Sequence, residues 1–204
     1  MIEKVTTFIT RQSPTGRQLL LIRHPYAGIQ IPAGTVEPGE TLTQAAQREA
    51  REETGIQNFS YFQYLGARDE PPAPDTRIVV TPTPVYARPD STSFDWARLP
   101  RGITVKILRR EQGFTQITYR EEDNLENPRY VSYQITGWVA EETLTALRRR
   151  AFFQLETTDS GEDQWQISAD GHTWHLFWAS VAALPPLISP QDSWLEILAG
   201  QNLE

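Results

Sequence analysis

Short stretches of alternating apolar and polar residues run along most of the chain and predict strands. Residues 3–12 and 17–24 predict a strand pair around a turn at 13–16, where Ser, Pro, Thr and Gly follow one another. The same pattern predicts extended segments over 59–66, 77–87, 151–157, 163–167 and 173–181. An amphipathic helix over 190–199 is expected to turn its apolar face toward the core.

A longer helix is predicted between residues 41 and 55. The segment is rich in good helix formers such as Leu, Gln, Ala and Glu. Thr41 or Thr43 is suited to cap its N-terminus, and Gly55 is suited to end it. This helix carries the most informative cluster of charges in the chain.

Three carboxylates share one face of the predicted helix, because Glu49, Glu52 and Glu53 are spaced i, i+3 and i+4. That face continues the apolar stripe that should point inward, where unpaired charges of one sign are costly. A divalent cation resolves the conflict, and oxygen ligands suit magnesium or manganese. The alternative is a solvated acidic face. It fits less well, because Arg48 can neutralise only part of the stripe.

A larger pattern surrounds this helix. A glycine is followed six residues later by a glutamate, and after a seven-residue gap comes an Arg-Glu pair. The segment from Gly34 to Ile56 resembles the Nudix box. Every fixed position of that motif is matched, by Gly34, Glu40, Arg48, Glu49, Glu52, Glu53 and Gly55.

The resemblance implies an enzyme, a Nudix-type pyrophosphohydrolase acting on phosphoanhydride bonds. Such an enzyme cleaves the pyrophosphate bond of a nucleoside diphosphate linked to another moiety, using an activated water. Glu49, Glu52 and Glu53 would bind Mg²⁺ or Mn²⁺ and serve catalysis, with Gly34 as an extra metal ligand. The general base varies across the family and is not fixed by the motif.

Other residues of the motif are implied to support it. Glu40 and Arg48 would hold the loop to the helix, and Gly55 would close the box. Members of the family often recruit a further carboxylate from late in the chain, for which Glu162 is the candidate. The alternative for Glu162 is a solvated loop charge.

The implied fold is α+β, a Nudix α/β/α sandwich with a mixed sheet. Such a core needs roughly 130 to 150 residues, fewer than the 204 present. Residues 94–145 resemble small bacterial barrels of Src-homology type at Gly102, Val105, Leu108, Gly113, Phe114, Ile117, Gly137, Trp138, Val139 and Leu144. The expected organisation is a Nudix domain of 1–93 and 146–204 with an inserted small all-β barrel at 94–145. The alternative is a set of extended hairpins within the Nudix domain.

The net charge limits the kinds of binding partner that are expected. A net charge of −7 argues against general nucleic-acid binding and against anionic membranes. A small phosphorylated nucleotide-type substrate stays compatible, because bound cations reset the local field. No apolar run approaches the roughly 18 residues of a membrane span, so no membrane association is expected. With no cysteine and no signal pattern at the N-terminus, the expected location is cytoplasmic.

Two functions of other classes are the alternatives. The chain could be a nucleotide-sensing binding module with a Nudix fold, although sensors of that kind usually show damage in the box. It could also recruit a protein partner through the inserted barrel, with hydrolysis secondary. A homodimer is a further hypothesis that the sequence does not test.

Overall fold

The computed structural model describes residues 1–25, 27–121, 131–158, 161–169 and 172–200, with the backbone alone for Ala169 and His172. Its strands are β1 (Ile2–Ser13), β2 (Gly16–His24), β3 (Gly28–Gln30), β4 (Ala33–Thr35), β5 (Tyr61–Asp69), β6 (Thr76–Val79), β7 (Thr83–Tyr86), β8 (Asp95–Leu99), β9 (Thr104–Glu111), β10 (Phe114–Glu121), β11 (Tyr133–Ala140), β12 (Leu144–Thr145), β13 (Arg148–Glu156), β14 (Gln164–Ala169) and β15 (His172–Ser180). The helices are α1 (Leu42–Thr54) and α2 (Leu195–Ala199), and 3₁₀ turns lie at Glu141–Thr143, Val181–Ala183 and Gln191–Trp194. No helix in this part of the chain is long and apolar enough to cross a membrane.

Eight strands form the sheet that carries the box. Its order is β14-β15-β2-β1-β13-β5, with β3 paired to β2 and β4 paired to β1. The predicted turn at 13–16 is confirmed, since Ser13 and Gly16 face each other at the end of the antiparallel β1–β2 ladder. The β1–β4 pairing sets Val5 opposite Gly34 and so fixes the first residue of the box against the sheet.

Alternate residues of β2 pack on opposite faces of this sheet. Leu20 and Ile22 join the core cluster that also contains the buried alanines of α1. Leu19 and Leu21 join a second cluster with residues around α2, including Trp194. The sheet therefore lies between two helical layers, which confirms the predicted α+β fold with its α/β/α arrangement.

Helix α1 begins and ends where the sequence predicted. Thr41 caps it, because the Thr41 hydroxyl accepts from the Gln44 N–H at 3.2 Å while the Gln44 side chain accepts from the Thr41 N–H at 2.9 Å. Gly55 ends it in a left-handed conformation with a φ of 76°, and its N–H donates to the Arg51 carbonyl. These reciprocal caps fix both the start and the end of the segment that bears the carboxylates.

The chain divides into two compact units. One consists of Lys4–Arg68 and Arg150–Glu204, and the other of Met1–Glu3 and Asp69–Arg149. The second unit holds a seven-stranded sheet of order β12-β6-β9-β10-β11-β7-β8. Its core is a separate cluster of inward apolar residues: Val79, Val85, Leu99, Val105, Ile117 and Val139.

The second unit begins earlier than the sequence suggested. The predicted boundary at residue 94 assigned β6 and β7 to the Nudix domain. In the structure, β6 pairs with β9, and β7 pairs with β8 and β11, which are strands of the second unit. The boundary therefore lies near Asp69. Partners distant in the sequence decide where a strand belongs, and local alternation does not reveal them. Residues 122–130 of the predicted barrel lie outside the described residues, and its Src-homology type stays a prediction.

Candidate active site

One arginine joins the box loop to the box helix. The Arg48 Nε lies 2.7 Å from one carboxylate oxygen of Glu40, and its Nη2 lies 2.9 Å from the other. This two-pronged contact is the strong form of an arginine–carboxylate pair. The second Glu40 oxygen also accepts from the Glu37 N–H at 2.9 Å, which tightens the loop itself. Loop and helix are thus held in one geometry.

The same guanidinium reaches the helix carboxylates. The Arg48 Nη1 lies 2.9 Å from Glu49 Oε1 and 3.1 Å from Glu52 Oε2. Its Nη2 also donates to the Thr35 carbonyl at 3.1 Å, one residue beyond Gly34. Arg48 therefore connects the loop, strand β4 and two of the three predicted ligands.

Strand β4 lies directly against the carboxylates of the helix. A Cβ built on Gly34 would be 1.8 Å from the nearest Glu49 carboxylate oxygen, so only glycine fits there without displacing Glu49. The Ala33 N–H donates to Glu53 Oε2 at 2.8 Å. Two of the three predicted carboxylates are thereby brought to the strand that carries Gly34.

The pKa values of two carboxyl groups of the site are shifted in opposite directions. The hydrogen bonds from Arg48 lower the pKa of Glu40 from 4.5 to about 2. Burial raises the pKa of Glu49, and Arg48 and Lys4 only partly oppose that shift. The same contacts, above all the one to Glu40, raise the pKa of Arg48. Glu49 is thus a half-buried carboxyl that additional positive charge would stabilise in its ionised form.

Sequence reasoning missed Lys4. Its ammonium donates to the Thr35 hydroxyl at 2.5 Å and lies close enough to Glu49 to lower the pKa of that carboxyl. The signal in the sequence was slight. Lys4 is one of only two lysines, and its place opposite Thr35 depends on the β1–β4 pairing.

Glu52 departs from the expectation of an inward acidic stripe. Its side chain is 61% exposed, against 12% for Glu49. Arg48 still contacts two of the three carboxylates, Glu52 one turn further along the helix and the adjacent Glu49. Of the three carboxylates, Glu52 is the one that solvent and ligands reach most freely.

The structure places Glu162 at a cavity beside the C-terminal end of α1, where Thr54, the residue after Glu53, also lines the wall. Its assignment as a further carboxylate of the catalytic site stays a prediction.

The chemistry of the donors fits a divalent cation. Glu49, Glu53 and the Gly34 carbonyl offer the oxygen ligands that Mg²⁺ and Mn²⁺ prefer, and burial raises the pKa of the half-buried Glu49 despite its contact with Arg48. Among the described residues, no three His, Asp or Glu side chains already stand in an arrangement that could hold a metal.

Comparison with known proteins gives the class. The family model described as the NUDIX domain matches residues 3–96. The match includes the whole box and continues into β8. This part of the chain, 94 of its 204 residues, therefore matches a NUDIX domain. No curated protein matches the chain.

Two solved structures are similar in part. The NUDIX domain of Shewanella oneidensis NrtR, complexed with ADP ribose, is 12% identical with a TM-score of 0.49, covering 98% of this chain and 87% of that one. The Ap4A hydrolase of C. elegans is 14% identical with a TM-score of 0.39, covering 98% of this chain and 97% of that one. At these values the family match, and not either structure, carries the assignment.

Proposed function

We propose that the chain hydrolyses a nucleoside diphosphate linked to another moiety in a reaction that depends on Mg²⁺ or Mn²⁺. The observation that supports it is the joined box, in which Arg48 contacts Glu40, Glu49 and Glu52 while Glu49 lies against Gly34. An intact, tightly positioned box is what hydrolysis requires, since phosphoryl transfer depends mainly on positioning and electrostatics.

The roles of the residues follow from their contacts. Glu49 and Glu53, anchored at β4, and Glu52, exposed beside them, are the proposed metal ligands, with the Gly34 carbonyl. A divalent cation held there would neutralise charge on the diphosphate oxygens and lower the pKa of an attacking water. One of the three glutamates would accept the proton of that water.

Supporting roles fall to the residues behind the ligands. Glu40 and Arg48 keep the loop against the helix, and Gly55 ends the helix one residue after its buried Thr54. Arg48 has a second proposed task. When Glu49 and Glu52 turn toward a cation, its pair with Glu40 keeps the loop in place.

The proposed setting is the cytoplasm, with a small phosphorylated nucleotide-type compound as substrate and neither nucleic acid nor membrane as a general partner. A homodimer and a protein partner for the second unit remain hypotheses. A sedimentation experiment on the purified chain, with and without Mg²⁺, tests the first of them.

The function is tested with a panel of nucleoside diphosphate derivatives, including an ADP-sugar and a dinucleoside polyphosphate, with Mg²⁺, Mn²⁺ or a chelator. We expect turnover of at least one compound that the chelator abolishes. Glu52→Gln and Glu53→Gln should each lower it by about two to four orders of magnitude, because they remove a ligand charge at constant size.

Glu196→Gln is the matched control, since Glu196 is an exposed carboxylate on α2 and should tolerate the same change. Melting curves of all three variants should match that of the parent. Near-parent turnover in both box variants contradicts the assignment. Nucleotide binding without turnover of any panel member favours the sensing module instead.

A further inference from the structure

A cavity of about 240 Å³ lies at the C-terminal end of α1. Its walls come from the helix end, from β14 and β15, and from the loop before β14: Thr54, Gly55, Ile56, Gly161, Glu162, Trp165, Ile167 and Trp178. The cavity is smaller than those that hold drug-sized ligands, which measure about 300 to 1,000 Å³. Its size therefore suits a compact ligand.

Two tryptophans give this cavity its chemistry. The rings of Trp165 and Trp178 are 6.4 Å apart between centroids and tilted by 46°. Trp165 is held in place because its indole N–H donates to the Thr54 carbonyl at 2.8 Å. A flat ring cannot stack between two planes inclined at that angle, since stacking needs parallel faces. A rounded group can contact both rings at once.

The charges around the cavity favour a cation. Glu162 is the one charged residue among the described residues that line it. The C-terminal end of α1, capped by Gly55, adds the partial negative charge of its last carbonyls. Indole rings attract cations to their faces in the same sense. All three contributions have the same sign.

The chain itself shows that one of these rings accepts a cation. The Arg11 guanidinium carbon lies 4.5 Å from the centroid of the Trp178 ring, and Arg11 also pairs with Asp163. Arg11 and Asp163 line a neighbouring cavity and are not part of this wall. Arg51, the basic residue in the last turn of α1, is also not part of this wall, and it donates to the Gln57 carbonyl.

From this geometry we infer that the cavity bounded by Trp165, Trp178 and Glu162 is a binding site for a quaternary ammonium group. The methyl groups would contact the two inclined indoles, and the Glu162 carboxylate would neutralise the charge at the rim. The walls share no residue with the proposed metal ligands, although Thr54 and Gly55 directly follow Glu53 in the chain.

The test is a titration of the full chain with choline, followed through the indole N–H signals in a nitrogen–proton NMR spectrum. Six tryptophans give six such signals. Choline should shift those of Trp165 and Trp178 in a saturable way. Its neutral carbon isostere, 3,3-dimethyl-1-butanol, should bind about tenfold more weakly, because it lacks the charge that the rings and Glu162 attract.

Three variants separate the contributions of the rings and of the carboxylate. Trp178→Leu should weaken choline binding about tenfold, while Trp178→Phe, which keeps an aromatic face, should restore most of it. Glu162→Gln should weaken binding a few-fold without affecting folding, since this side chain is exposed. Glu196→Gln is the control and should leave the affinity unchanged. A peptide with trimethyllysine, titrated in parallel, tells whether a protein side chain or a small molecule presents the group better.

Three results would overturn the inference. The first is the absence of saturable shifts with both choline and the peptide. The second is equal affinity for choline and its neutral isostere. The third is tighter binding of adenosine to the same two indoles, which would make the cavity a site for a flat ring.

Discussion

Ion pairs of the box are more buried than two ion pairs of the second unit. In the box, the side chains of Arg48 and Glu49 are 23% and 12% exposed. In the second unit, Lys106 and Asp75 are 60% and 58% exposed, and Arg110 and Glu141 are 48% and 52% exposed. The box pairs share one guanidinium, whereas these pairs each stand on the surface of the unit.

This difference in exposure indicates which ion pairs help to fix the geometry of the chain. A surface pair contributes about 0–1 kcal/mol, because water and salt screen it and both side chains lose freedom. A partly buried network costs desolvation, but removing one member leaves the others uncompensated. Arg48 therefore fixes geometry around Gly34, while the surface pairs of the second unit leave their strands determined by apolar packing.

Arg48→Ala should have the largest effect on this comparison. It removes every contact that joins Glu40 to the helix and leaves the half-buried Glu49 without its nearest cation. We expect a loss of about 1–3 kcal/mol in the free energy of unfolding together with a fall in turnover. Denaturant unfolding and the substrate panel measure the two effects. A variant that unfolds like the parent and differs only in metal affinity would make Arg48 a site residue and not a support.

Gly34→Ala should follow, with an effect mainly on activity. The added Cβ would meet the flexible end of Glu49, which can swing aside at small cost in stability. Displacing a ligand by about 1 Å costs on the order of a hundredfold in rate. Turnover should therefore fall by about that factor while the melting curve stays close to that of the parent.

Gly39→Ala, in the open part of the same loop, is the control for adding a methyl group at a glycine. Because Gly39 has a φ of 88°, that control should lose some stability and keep its turnover.

Local signals made helix α1 predictable. Thr41, the helix formers after it and Gly55 act within a few residues of one another, so the sequence alone indicates both ends. The face shared by Glu49 and Glu53 followed from helix geometry in the same way. The exposure of Glu52 did not, because it depends on which parts of the fold pack against that side of the helix.

Contacts between distant residues were not predictable. Strands β6 and β7 show the same alternation as strands of the first sheet, and only pairing with β9 and β11 assigns them to the second unit. Glu162 was proposed as a further carboxylate from its position late in the chain. Only the fold brings its loop to the C-terminal end of α1, which no local pattern indicates.

Lowering the pH should destabilise the protein by protonating Glu40, and we expect this effect to be smaller than those of Arg48→Ala and Gly34→Ala. The pKa of Glu40 is lowered from 4.5 to about 2, so the ionised carboxylate stabilises the folded state fully above about pH 4.5. That stability is lost as the pH falls from 4.5 through 2. Glu49 has the opposite effect, because its pKa is raised above 4.5 in the folded state. The stability that the protonated Glu49 contributes is lost as the pH rises above 4.5.

The measurement is the unfolding midpoint in denaturant of the parent and of Glu40→Gln across pH 2–7. The variant should be less stable at pH 7, and the two curves should converge toward pH 2. Parallel curves over this whole range would show that Glu40 does not contribute through its charge.

The smallest effect is expected for the surface pairs, and it completes the comparison. Lys106→Ala and Arg110→Ala should each change the free energy of unfolding by less than about 0.5 kcal/mol, because their partners Asp75 and Glu141 stay hydrated. Denaturant unfolding at low and at high salt measures this, with Arg48→Ala as the contrasting variant. Screening should remove the small difference for Lys106 and leave most of the loss at Arg48. If either surface variant lost as much stability as Arg48→Ala, exposure would not be what separates the two sets of ion pairs, and the special position of Arg48 in the box would need another cause.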